Sequence, residues 1–273
     1  MDIRLIAMDL DGTALINPHE ISPRLARVLE ETHARGIHIV PVTGRQYRML
    51  PPFLPAQWSK YAVLCNGSEL RTLPDGALLA AHHLTEELLT GHLHAFLDLG
   101  LTLELSGGGY LHTTAPMLED ILAAPINPFH RVVLHDHGTV VEDLMDFVTR
   151  LPYPIDKINL PYVPPEKREA LLALLPSLPF SGVWSGPNGM EVTHLAATKG
   201  KGLLSLCARL GVDPRCTMAL GDSGNDVSML QAAGLGVAMG NAPDDVKAAA
   251  RAVTLSNTED GAAIAIERYA LGR

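Results

Sequence analysis

Short apolar runs that end in charged or glycine-bearing turns recur at both ends of this 273-residue chain, and the pattern changes in its middle. Residues 4–8 (RLIAM) form the first run, which stops at Asp9-Leu10-Asp11-Gly12-Thr13. Ser22 before Pro23 has the form of a helix N-cap with proline in the first turn, and Leu25, Val28 and Leu29 follow at helical spacing up to Gly36. Residues 37–42 (IHIVPV) and 61–64 are further runs, closed by Thr43-Gly44-Arg45 and by Cys65-Asn66-Gly67. Strand, helix and strand in succession specify a parallel sheet covered by helices. The alternation returns late: a helix over 203–210 ended by Gly211, a strand over 217–220 ending at Gly221-Asp222, and a helix over 226–233. A strand over 235–239 and helices over 243–250 and 262–270 complete it.

The middle reads differently. Residues 68–84 suggest a hairpin around Pro74-Asp75-Gly76, and from about 85 to 192 helices and strands interleave in an α+β order, with prolines bunched at 152–165. The expectation is a doubly wound, mostly parallel α/β core (Rossmann-like) from residues 1–83 and 193–273, with an α+β cap domain inserted at 84–192.

Composition narrows the classes. Twenty-one basic against thirty acidic side chains give a formal charge of −9, which argues against nucleic acid or an anionic membrane as partner. No stretch approaches the roughly 18 consecutive apolar residues of a membrane span. Residues 3–10 are too short a run and too interrupted by Arg4 and Asp9 for a signal peptide. Cys65, Cys207 and Cys216 include no C-x-x-C pair, so the expected setting is a reducing cytoplasm. Nothing in the sequence assigns an oligomeric state.

In an open parallel sheet, functional groups gather beyond the carboxyl ends of the strands. Four polar clusters fall at such ends: Asp9 with Asp11, Thr43-Gly44-Arg45, Asn66-Gly67, and the segment from Asp222 to Asp226. Lys199, in Thr198-Lys199-Gly200, stands where a helix begins. A phosphomonoester dianion repels nucleophiles, so attack on it needs positive charge on its oxygens and an in-line nucleophile. A carboxylate can be that nucleophile, dividing hydrolysis into phosphorylation and dephosphorylation of the protein. Asp9, first in its turn, is placed for this. A carboxylate beside a phosphate calls for a cation between them, and Mg²⁺, hard and oxygen-seeking, suits the place.

Asp9-Leu10-Asp11-Gly12-Thr13, Val42-Thr43-Gly44-Arg45, Lys199-Gly200 and Gly221-Asp222-Ser223-Gly224-Asn225-Asp226 resemble the four motifs of the haloacid dehalogenase-like hydrolase superfamily. Gly240-Asn241-Ala242 through Val246-Lys247, the stretch from Asn257 to Gly261, and the large insertion after the third strand are similar to its Cof-type phosphatase branch. The resemblance implies a phosphatase for small phosphorylated metabolites, sugar phosphates or phosphorylated cofactors, with Asp9 as nucleophile and Asp11 as general acid and base. It implies Mg²⁺ held by Asp9 and Asp222, by the Asp11 carbonyl, and by Asp226 directly or through water. Thr43, Lys199, Asn225 and the backbone amides of Leu10 and Gly44 would hold the phosphoryl oxygens.

Alternatives stay open at this level. A sugar phosphomutase would use the same phosphorylated Asp9, and a phospho-acceptor signalling module also combines an acidic pair with Thr and Lys. Arg45 is open between substrate contact and a helix-start position at the surface. The run Gly107-Gly108-Gly109 is open between a mobile loop and a plain turn. Histidines 82, 83, 92, 94, 112, 130, 135 and 137 read as solvated, and Cys65 as a small packing residue.

Overall fold

A computed structural model describes residues 2–17, 19–51, 54 and 58–273, and the chain divides into two compact units. Unit 1 is Met1–Ala81 with Ala197–Arg273, and unit 2 is His82–Ala196.

Unit 1 opens with β1 (Leu5–Met8), a small hairpin of β2 (Leu15–Asn17) and β3 (Glu20–Ile21), then α1 (Pro23–Ala34) and β4 (His38–Pro41). Ser22 caps α1 by accepting the Leu25 N–H at 3.0 Å, and Leu25, Val28, Leu29 and Thr32 form its buried stripe. The third apolar run is β5 (Tyr61–Leu64), but it leads an antiparallel sheet with β6 (Glu69–Thr72) and β7 (Leu78–Ala81). It meets the edge of the parallel sheet through the isolated Val42–Val63 bridge, with the Thr43 N–H donating to the Val63 carbonyl at 2.9 Å. Pro41 is the physical reason. His38 and Val42 donate toward β1, so Pro41 falls on the β5 side, where it has no N–H to give.

Unit 2 runs α2 (Glu86–Asp98), β8 (Glu104–Gly107), β9 (Tyr110–Thr114), α3 (Ala115–Ala123), α4 (Pro128–His137) and β10 (Gly138–Val141). It continues through α5 (Leu144–Val148), β11 (Ile155–Leu160), α6 (Pro165–Leu174), β12 (Phe180–Trp184) and β13 (Met190–His194). Its sheet has the order β10-β9-β8-β11-β13-β12, antiparallel except for β9 with β10. Leu105, Ile158 and Val192 lie in register and share one apolar cluster with Leu89, Leu93 and Phe96 of α2. β13 stays paired with β12 as far as Phe180 opposite His194, and this carries unit 2 beyond residue 192. Gly108 and Gly109 both have positive φ and make the tight turn from β8 to β9, so the glycine run is a hairpin turn.

Several histidines of unit 2 are built in, not merely solvated. His130 contacts both oxygens of the fully buried Glu104 at 3.0 Å, His112 meets the Tyr153 hydroxyl at 2.6 Å, and His83 pairs with Asp156 at 3.4 Å. Glu104 shares a register row with Asn159, whose amide donates to it at 3.2 Å. Buried polar groups need partners, and imidazole and amide side chains supply them here.

The chain returns to unit 1 with α7 (Lys199–Leu210), β14 (Thr217–Gly221), α8 (Val227–Ala232), β15 (Leu235–Ala238), α9 (Asp244–Ala249), β16 (Ala252–Val253) and α10 (Gly261–Ile266). The core sheet is parallel throughout, in the order β16-β15-β14-β1-β4. Alternate residues of β1 enter different clusters: Leu5 and Ala7 pack with Leu203 and Leu206 of α7, Ile6 and Met8 with Leu25, Val28 and Leu29 of α1. A strand covered on both faces has to be largely apolar, which is why β1 reads as an unbroken run and β4 and β14 depart from one only at their first residues, His38 and Thr217. The chain winds outward from β1 to β4 and later from β14 to β16. The order therefore reverses between β1 and β14, the crevice where such sheets bind ligands. Among the described residues, no helix is long and apolar enough to cross a membrane.

Candidate functional site

Asp9 and Asp222 emerge at the carboxyl ends of β1 and β14, on either side of that reversal. The Asp9 N–H still donates to the Leu220 carbonyl at 3.0 Å, so the sheet itself fixes where its side chain starts. The chain then turns sharply, with the N–H groups of Ala14 and Leu15 both reaching the Leu10 carbonyl, at 3.0 and 2.9 Å. Gly12 permits the turn. Its φ is +78°, and a Cβ there would lie 2.3 Å from Asp222 Oδ2. The close approach lets Thr13 Oγ1 donate to Asp222 Oδ1 at 3.1 Å.

Lys199, the first residue of α7, lies at the centre with 1% of its surface exposed. Its Nζ donates to Asp9 Oδ1 at 2.6 Å and to Asp226 Oδ1 at 2.7 Å. The other oxygen of Asp226 accepts the backbone N–H groups of Asp222 and Ser223 at 2.9 and 3.0 Å, folding the loop after β14 around itself. Asp9, Asp222 and Asp226 each offer a carboxylate oxygen within 4.8 Å of the others. Three carboxylates against one ammonium leave two negative charges when all are ionised, in a place largely removed from water.

The ionisation of the group reflects this. Burial pushes the Asp9 carboxyl well above the usual range, reinforced by Asp226, Asp222 and Asp11 and opposed by Lys199. Burial and then Asp226 push Asp222 up to about 7. Burial opposes the charge on Lys199, but Asp226 and Asp9 outweigh it and hold the ammonium well above its ordinary value.

The remaining sequence candidates fall around this centre. Thr43 is buried beyond β4, and its Oγ1 accepts the Arg45 N–H at 3.1 Å. Leu10 and Gly44 follow Asp9 and Thr43 directly. Asn225 accepts the Ser223 hydroxyl at 2.7 Å and donates to Asn66 at 3.2 Å, joining the second and fourth polar clusters through the loop after β5. Asp11 lies outside the group of three clustered carboxylates and is paired with Arg45, whose Nε and Nη2 reach its two oxygens at 2.8 and 2.6 Å.

Arg45 is therefore no surface helix-start residue: it is 8% exposed and part of the site. Asn241 is an addition that sequence reasoning did not assign, although Gly240-Asn241-Ala242 stood out. Its amide donates to the Gly12 carbonyl at 2.9 Å and to Asp222 Oδ2 at 3.3 Å. Its own carbonyl accepts the Asn257 N–H at 3.2 Å. Cys65 is fully buried beside Ala62, Leu64 and Leu73.

The chain has counterparts among known proteins. The haloacid dehalogenase-like hydrolase family profile matches residues 6–266. The 5-amino-6-(5-phospho-D-ribitylamino)uracil phosphatase YcsE of Bacillus subtilis is 30% identical over 99% of this chain and 97% of its own length. The pyridoxal phosphate phosphatase YbhA of Escherichia coli is 28% identical over 96% of this chain and 97% of its own. The solved structure of a haloacid dehalogenase-like hydrolase from B. subtilis superposes with a TM-score of 0.83 at 29% identity, covering 98% of this chain and 99% of that one. The chain belongs to the haloacid dehalogenase-like hydrolase family.

Proposed function

We propose that the protein is a phosphatase of small phosphorylated metabolites, sugar phosphates or phosphorylated cofactors, working through a phosphorylated Asp9. The observation that carries this reading is the buried ammonium of Lys199 between Asp9 and Asp226, beside Asp222, at the reversal point of the core sheet. Relatives named for a ribityl phosphate and for pyridoxal phosphate support the substrate class. Unit 2, inserted between the halves of the core, is assigned the choice of substrate.

The donor set fits Mg²⁺: hard carboxylate oxygens, clustered and short of positive charge. Asp9 and Asp222 would hold it by side chain and Asp11 by its carbonyl, with Asp226 in support. When bound, the ion supplies positive charge that relieves repulsion between the Asp9 carboxylate and the phosphate dianion. In the first half-reaction an Asp9 oxygen bonds to phosphorus as the bond from phosphorus to the ester oxygen breaks. A proton from the Asp11 carboxyl goes to that oxygen, which leaves as an alcohol. In the second, Asp11 as carboxylate takes a proton from water while the water oxygen bonds to phosphorus. The electron pair of the broken bond returns to Asp9. Lys199, Thr43, Asn225 and the amides of Leu10 and Gly44 would hold the phosphoryl oxygens. Water as the final acceptor separates this from mutase chemistry.

A screen of phosphorylated metabolites with MgCl₂, scored by phosphate release and by the mass of the organic product, tests the reading. Free phosphate with dephosphorylated product is expected, lost on chelation and restored by Mg²⁺. An isomerised sugar phosphate would make it a mutase, and a long-lived phosphoprotein without release would make it a signalling module.

The raised carboxylates add a dependence on pH. Without metal, the folded state keeps on Asp222 a proton that an unfolded chain sheds above about pH 4. The stability Asp222 contributes is thus full below about pH 4 and lost as the pH rises through about 7. Protons and cation compete for the same oxygens. The rise in melting temperature on adding MgCl₂ is therefore expected to be larger near pH 8 than near pH 5. Equal shifts at the two values would count against a cation on these carboxylates.

A further inference from the structure

We propose that Arg45 is a positioning residue for proton transfer, its buried guanidinium fixing the Asp11 carboxyl in the orientation that serves first the leaving oxygen and then water. The inference rests on the reading of Asp11 as acid and base given above.

The guanidinium is not free to act as a substrate anchor. Nε and Nη2 are engaged by Asp11 and Nη1 donates to the Met49 carbonyl at 3.2 Å, so each nitrogen has a partner within the protein. Its exposure is uneven with that of its partner: the Arg45 side chain is 8% exposed and that of Asp11 39%. A cation lies beneath, and a half-exposed carboxylate faces outward above it. The fork binds one lone pair on each Asp11 oxygen and leaves another on each, so it holds the group without consuming its capacity for a proton.

The base of the arginine is itself immobilised. The Arg45 N–H donates to Thr43 Oγ1 at 3.1 Å, and the Arg45 carbonyl accepts the Cys65 N–H at 3.1 Å. The Thr43 N–H is in turn tied to the Val63 carbonyl. Asp11 sits on a loop two residues past Asp9, where a carboxyl would otherwise sample several rotamers. Arg45 ties it to the junction of β4 and β5 instead. An acid group held within hydrogen-bond reach of its target is worth far more than one that must find it.

The test is a series of para-substituted phenyl phosphates, from p-nitrophenyl to p-methoxyphenyl, with kcat/KM measured for wild type, Arg45→Met, Arg45→Lys, Asp11→Ala and the double variant. Departure of p-nitrophenolate needs little protonation, while p-methoxyphenolate needs it most, and acid catalysis of this kind is worth about 10²-fold or more. Asp11→Ala is expected to lose little on the first and about a hundredfold on the last. Arg45→Met should show the same steepened dependence, with a differential loss of about tenfold or more, and Arg45→Lys an intermediate one. The double variant should be no steeper than Asp11→Ala alone. A loss of equal size across the series in both Arg45 variants would make Arg45 a structural residue only and overturn the proposal. If Asp11→Ala itself leaves the dependence unchanged, the reading of Asp11 fails first and the role of Arg45 falls with it. Should Arg45→Met not fold, Arg45→Lys keeps the comparison, because it retains the charge and loses the fork.

Discussion

Asp9→Asn is expected to fold normally and to lose phosphate release by about a thousandfold or more on any phosphate ester, Mg²⁺ present or absent. Asparagine has the shape of aspartate, and the β1 backbone that places it is held by the Leu220 carbonyl and not by the side chain. Its amide still accepts from Lys199 through oxygen, but it has no carboxylate oxygen pair to attack phosphorus. The fold has little reason to suffer. Burial and then the neighbouring carboxylates already disfavour charge on Asp9, so a neutral amide relieves part of that penalty while weakening one of the two ion pairs of Lys199. Chemistry and stability are therefore separable in this variant. Phosphate release and thermal melting on the same preparation would show activity gone and melting nearly unchanged. Acid-quenched wild type given radiolabelled substrate should carry label on protein, and the variant should carry none. Full turnover by Asp9→Asn would end the mechanism, whatever the substrate.

Asp9, Asp11, Asp222 and Asp226 could be picked out in advance because they follow closely on core strands, and Lys199 because it opens a helix in Thr198-Lys199-Gly200. β1 and most of β14 are apolar, since the sheet is covered on both faces, and the polar residue ending such a run is conspicuous. The reversal between those strands brings their ends together although they lie more than 200 residues apart, as the 209-residue separation of Thr13 and Asp222 illustrates. The pairing of Arg45 with Asp11 left no such trace. It spans 34 residues between two loops, obeys no periodicity, and an arginine after glycine looks the same whether it is buried or solvated.

Unit 2 hides its polar interior for a related reason. Glu104-Leu105-Ser106 alternates like a strand with one wet face, yet Glu104 is fully buried and satisfied by His130 and Asn159. Alternation reports that two faces differ, not that one of them meets water. Pro41 is a local signal whose meaning emerges only with topology: its missing N–H matters because it points at β5. β16, two residues long, is below the length at which any pattern can be read.

Replacing Lys199 by methionine should damage stability and activity together, and the stability loss should depend on pH. Methionine fills much the same volume, but the two buried carboxylates that the ammonium served would then face each other without a counter-charge. Removing one member of a buried ionic cluster costs about 3–5 kcal/mol, a large share of the 5–15 kcal/mol by which a protein is ordinarily stable. The sign with pH follows from the carboxylates. Asp9 already takes its proton well above the usual range, and without the neighbouring cation it takes it higher still. The uncompensated charge in the variant is therefore smaller at low pH, where Asp9 holds its proton, than at high pH. Urea unfolding in the presence of a chelator should thus show a smaller deficit near pH 5 than near pH 8. Lys199→Arg, which keeps the charge but cannot fit its planar head between Asp9 and Asp226 without displacing them, should recover part of the stability and little of the activity. Turnover of Lys199→Met is expected to fall about 10²- to 10³-fold even where the protein is fully folded, because the positive charge proposed for the phosphoryl oxygens is lost with the side chain. A variant as stable as wild type near pH 8 would mean that Lys199 is not the counter-charge of the buried carboxylates, and the charge count that favours a divalent cation would have to be redrawn.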